Sequence, residues 1–107
     1  MSNSLVPFTQ FDASAITATG FSNWIAAVGG VGSLFRVQAT GAVAGDSVTA
    51  NAGPVYVIVK SSAPVTADKA KALQLIAGAS MDFYLNEASK LYICGANNDT
   101  VRVLRCY

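Results

Sequence analysis

The chain has no histidine, two cysteines, one tryptophan and 12% charged residues among 107. Each shortage closes a class of function. Without histidine the commonest general base is missing, and with no Cys-x-x-Cys pair there is no ligand set for zinc. The six carboxylates, Asp12, Asp46, Asp68, Asp82, Glu87 and Asp99, are scattered among turns and strand ends. Asp82 and Glu87 are the pair nearest to meeting, and both read as solvated surface charge. Lys60 and Ser61 are adjacent on a strand and so point to opposite faces, which leaves no Ser-Lys pair, with or without Ser62. The run NNDT at 97–100 offers oxygen ligands of the kind calcium takes, but Asp99 is its single charge, and Asn and Asp equally favour a turn. The sequence therefore nominates no catalytic, metal-binding or cofactor-binding residue, and no enzyme activity is expected.

Charge and hydropathy exclude more. Seven scattered basic residues and a net charge of +1 leave no electrostatic footprint for nucleic acid. The longest apolar run, IAAVGGVGSLF, is about half the ~20 residues of a membrane-spanning helix. The start, MSNSLVPFTQFDAS, lacks the basic region and apolar core of a signal peptide, so cytoplasmic synthesis and no membrane partner are expected. What remains is an apolar chain: 52% of residues are hydrophobic, too many for so few charges to cover. Part of that surface is expected to lie against another protein.

The stretch GFSNWIAAVGGVGSLF, residues 20–35, superficially resembles a phosphate loop. No lysine follows GGVGS, and the third glycine of a dinucleotide fingerprint would fall at Phe35. LFRVQAT alternates like a strand and opens no helix, so the glycines read as conformational. Trp24, within the stretch, reads as a core plug or as a partner anchor.

The dominant period is two. Residues 34–40 set Phe35, Val37 and Ala39 against Leu34, Arg36, Gln38 and Thr40, a half-buried strand. Val48 and Ala50 alternate with Ser47, Thr49 and Asn51 beyond the breaks at Gly41, Gly45 and Asp46. PVYVIVK (54–60) reads as a central strand covered on both faces, with Val55, Val57 and Val59 opposite Tyr56 and Ile58. SSAPVTADKAKA (61–72) is a loop, or one or two helical turns capped by Thr66 or Asp68. Strands follow at 73–76, 80–85, 90–95 and from 100 to the C-terminus. The fold class expected is all-β, a small antiparallel β-sandwich or barrel with at most one short helix. Residues 1–11 read as an N-terminal arm or edge strand, because Pro7 extends Val6, and 12–107 as a single domain.

A turn on Asn97 and Asn98 is expected to join the last two strands as a hairpin, pairing Cys94 with Val101 and holding Cys106 too far away for a disulfide. Both thiols then read as small, buried or half-buried groups. In that hairpin Tyr92, Cys94, Val101 and Val103 share one face, and Leu91, Ile93, Arg102 and Leu104 the other. Both faces are largely apolar, so one needs a cover from the same chain or from a neighbouring subunit.

The block APVTADKAKALQLIAGASMDFYLNEASKLYICGANNDTVRVLRCY, residues 63–107, resembles the ends of small all-β virion proteins of tailed bacteriophages: an AG-S-polar-apolar strand, then a segment like SKLYICGANNDTVRVLR at Ser89–Arg105. Such proteins include head-decoration, or cement, proteins and components of fibre, neck and tail. The resemblance implies a virion structural protein on the head surface, a homo-oligomer with a trimer favoured, bound to the lattice of the major capsid protein. Candidate interface residues are Leu5, Val6, Phe8 and Phe11 in the arm, with Trp24, Leu91, Ile93 and Leu104. The alternative is a carbohydrate or host-surface binding module on a spike, fibre or neck, built on Tyr56, Tyr84, Tyr92 and Tyr107 with Asn97, Asn98 and Asp99.

Overall fold

A computed structural model describes residues 14–29, 32–43 and 45–106. Among the described residues eight strands form: β1 Ser14–Thr17, β2 Gly20–Gly29, β3 Ser33–Ala39, β4 Val55–Lys60, β5 Leu73–Leu75, β6 Ser80–Leu85, β7 Lys90–Gly95 and β8 Thr100–Cys106, with a 3-10 helix at Thr66–Lys71. They make two four-stranded antiparallel sheets, sheet A in the order β1-β8-β3-β6 and sheet B in the order β2-β7-β4-β5. β1 pairs with β8, β2 with β7, β3 with β6 and β4 with β5, as though one long hairpin had been rolled up. The β3–β8 and β4–β7 ladders close each sheet. This connectivity is that of a jelly roll, the double-sheet form of the β-sandwich.

The core lies between the sheets, as alternation requires. Phe35, Val37, Ala39, Leu85, Val101 and Val103 of sheet A and Val55, Val57, Leu75, Leu91 and Ile93 of sheet B form one buried cluster. The faces assigned to β3 and β4 from the sequence are the observed ones. β2 has no counterpart among the strands read from the sequence: GFSNWIAAVG is a ten-residue strand, and its register against β7 shifts between Gly20 and Ile25 and again between Ala26 and Val28. These irregularities break the period of two, so the strand has no alternating signature. Gly32, in the turn to β3, has φ +70 and donates its N–H to Leu85 O at 2.9 Å, a conformational use of the GGVGS motif. The alternation around Val48 and Ala50 produces no strand; residues 47–51 form an irregular segment.

β7 and β8 are not a hairpin. The turn at Asn97 and Asn98 forms, with Asn98 at φ 76 and Asp99 N donating to Ala96 O at 3.0 Å. Ala18 then enters between its arms: Asn98 N donates to Ala18 O at 3.0 Å and Ala18 N to Asp99 O at 2.7 Å. The link between β1 and β2 thus splits the pair, sending β7 to sheet B and β8 to sheet A. Cys94 and Cys106 are both free thiols, but they lie in different sheets, so the separation along a shared ladder expected from the sequence is not the reason.

Candidate functional site

The outer surfaces of the two sheets differ. On sheet B, Tyr92 and Cys94 point away from the core yet are buried, because the chain supplies its own cover. Residues 61–72 return over this face. Lys60 Nζ reaches Asp68 Oδ2 at 3.0 Å, the Trp24 indole N–H donates to Val65 O at 2.9 Å, and Lys69 Nζ donates to Phe21 O at 2.6 Å. Phe21 meets Tyr56 edge-on at 6.2 Å, and the Cys94 thiol donates to Phe21 O at 3.1 Å. Asp68 ties the 3-10 turn by accepting Val65 N–H at 2.9 Å while its own N–H donates to Val65 O. The Val65 N–H donated to the carboxylate, and after it the bond from Lys60, hold the Asp68 carboxyl below its ordinary range against the opposing effect of desolvation. Desolvation pushes the Cys94 thiol up.

Sheet A has no such cover among the described residues. Its outer face is built from three rows set by register. Leu34 lies between Tyr84 and Cys106, Arg36 between Asp82 and Leu104, and Gln38 between Ser80 and Arg102. Arg36 forks onto Asp82, Nε to Oδ1 at 2.8 Å and a terminal nitrogen to Oδ2 at 3.1 Å. This hydrogen-bonded contact, then the charge itself, raises Arg36 and lowers Asp82 from their ordinary values. Both groups are open to solvent, so the pair mainly fixes the β3–β6 register and adds little stability. A shallow recess of about 310 Å³ lies alongside, lined by Arg36, Gln38, Ser80, Arg102 and Leu104. Two guanidinium groups, an amide and a hydroxyl suit it to polar contacts with another surface.

A second depression, about 460 Å³, opens where the segment after β3 meets the β7–β8 turn, with Thr49, Asn51, Asn97 and Asn98 on its wall. Asp99 beneath it is 6% exposed. Its two carboxylate oxygens accept the N–H groups of Ala52 at 2.9 Å and Gly53 at 3.1 Å. Asn51 Oδ1 accepts Thr100 N–H, Nδ2 donates to Thr100 O, and the Thr40 and Thr100 hydroxyls bond at 2.6 Å. Asp99 is thereby committed to anchoring a loop, and NNDT acts as a turn.

The sequence-derived interface residues do not converge. Leu91 and Ile93 are fully buried in the core and present nothing to a partner, because β7 is an inner strand of sheet B facing sheet A. Leu104 is half-buried on the outer face of sheet A, and Trp24 is half-buried on sheet B beside its own chain. Leu5, Val6, Phe8 and Phe11, and the arm as a whole, lie outside the described residues. The tyrosines do not form a platform either: Tyr92 is buried, Tyr56 packs on Phe21, Tyr84 stands 65% exposed on sheet A, and Tyr107 is outside the described residues. Sequence reading missed Asn51 and Thr40, whose partners are remote in the chain, and the Arg36–Asp82 pair, each member of which is visible as a polar strand position.

No protein-family model matches the chain, and no curated protein or solved structure matches it. Among the described residues no helix is long and apolar enough to cross a membrane.

Proposed function

We propose that the protein is a structural component of a bacteriophage virion, a decoration protein that binds the head shell as a homo-oligomer and stabilises it. The observation that carries this reading is the outer face of sheet A, uncovered among the described residues, on a jelly roll whose other outer face is partly covered by its own chain. Jelly rolls serve in capsids and lectins alike, so the fold alone decides nothing. A one-sided, mixed apolar and polar face is what a protein laid on a preformed lattice uses, and many copies multiply weak contacts. The carboxylates Asp68, Asp82 and Asp99 are each bound to structural partners, which favours a scaffold over a catalyst.

The glycan-binding alternative draws less support, because the tyrosines it needs are dispersed. The test is co-sedimentation of the purified protein with heads of the encoding phage, prepared without this protein. The reading predicts binding at a fixed ratio to capsid subunits and a higher temperature of head rupture. Protein left wholly in the supernatant, and missing from purified virions by mass spectrometry, contradicts it.

A further inference from the structure

The four edge strands of the sandwich are not equivalent. β1 has four residues and β5 has three, and β2 is interrupted by its register shifts. Short or irregular edges discourage strand addition. β6, at the end of sheet A, has six residues in unbroken register with β3 from Ser80 to Leu85, with no proline or lysine.

Its hydrogen-bonding side follows from one contact. Ala39 N donates to Ala79 O at 2.9 Å, which directs the odd-numbered backbone groups toward β3. Alternation leaves the N–H and C=O groups of Ser80, Asp82 and Tyr84 on the outer side, where no strand pairs with them among the described residues. Met81 and Phe83 pack against the core from this edge and are only half-buried.

We propose that β6 is a homotypic contact, pairing antiparallel with β6 of a second copy about a two-fold axis at Phe83. The edge can serve as its own complement, and charge disfavours one register. Centred on Phe83, each Asp82 lies opposite Tyr84 of the second copy, a carboxylate beside a phenol O–H, and these positions exchange backbone hydrogen bonds. Centred on Asp82, the two carboxylates would face each other, which is unfavourable for directly opposed residues. The Phe83 register also brings the two half-buried phenyl rings together and sets Met81 against Leu85. One strand pair buries less than the ~1,200 Å² of a stable interface, so the dimer dissociates on dilution. The contact does not depend on the virion reading and survives a failure to bind heads.

The test is light scattering over a dilution series with two variants at the exposed position, Tyr84→Asp and Tyr84→Arg, whose folding is checked by circular dichroism and thermal melting. The wild type rises toward twice the chain mass of 11.0 kDa. Tyr84→Asp sets carboxylates opposite Asp82 and weakens association by about tenfold or more, whereas Tyr84→Arg pairs with Asp82 and keeps or tightens it. A wild type that stays monomeric up to about 1 mM overturns the proposal. So do Tyr84→Asp that associates like the wild type and two variants that weaken alike.

Discussion

Asn51 serves Thr100 as a strand partner made from a side chain: its Oδ1 accepts the Thr100 N–H at 2.9 Å and its Nδ2 donates to the Thr100 carbonyl at 2.8 Å. One amide thus satisfies both backbone groups of a residue at the start of β8, and Asp99 next to it fastens Ala52 and Gly53. The irregular segment between β3 and β4 is held by these side chains. Replacing Asp99 by Ala leaves two backbone N–H groups without their charged acceptor and is expected to cost about 2–4 kcal/mol. Asn51→Ala should cost about 1–3 kcal/mol. Urea unfolding of each variant beside the wild type checks both.

Acid should loosen the cover of sheet B. The Asp68 carboxyl is held below its ordinary value of 3.8, so its contribution to stability is complete above that pH and is lost as pH falls through the lower folded-state value. Thermal melts from pH 6 downward should show a fall in stability beginning near pH 4, and Asp68→Asn should be less stable at neutral pH with a shallower acid slope. Equal acid slopes for the two proteins would remove Asp68 from this role.

The thiols should react in sequence. Cys94 is fully buried and its thiol is raised by desolvation, whereas Cys106 is half-buried at the end of β8. A maleimide at neutral pH should label Cys106 first and Cys94 only after unfolding. Mass mapping of the modified peptides reads the order directly.

A side chain at position 41 would strike another backbone. A Cβ there comes to 3.1 Å from Gly78 Cα and 3.2 Å from Gly78 N, and Gly78 is itself held at φ +87. Gly41→Ala should therefore destabilise by about 1–3 kcal/mol, read as a lower urea midpoint with an unchanged slope.

The sequence conveys this fold unevenly, for physical reasons. β3, β6 and β8 are legible because each presents residues alternately to core and surface, as Phe35 and Arg36 do, and β4 and β7 because they are short apolar, β-rich runs bounded by turn residues. β2 is not, since its bulges interrupt the phase, and Trp24 and Phe21 pack under the chain's own 3-10 segment. The turn at Asn97 and Asn98 is locally the same whether it closes a hairpin or links two sheets. Only the insertion of Ala18, about eighty residues away in the chain, decides between them. The same limit moved Leu91 and Ile93 from expected contacts into the core. At the site, Arg36 and Asp82 are visible as outward strand residues, but their pairing depends on register, which alternation leaves free by steps of two.

Hydrogen exchange of the wild type at high and low concentration, resolved by amide, tests the open β6 edge most directly. At both concentrations Met81, Phe83 and Leu85 should be protected through β3. Ser80, Asp82 and Tyr84 should exchange rapidly when dilute and become protected as concentration rises. Rapid exchange of these three at every concentration would contradict the account of β6 as the edge through which the jelly roll associates.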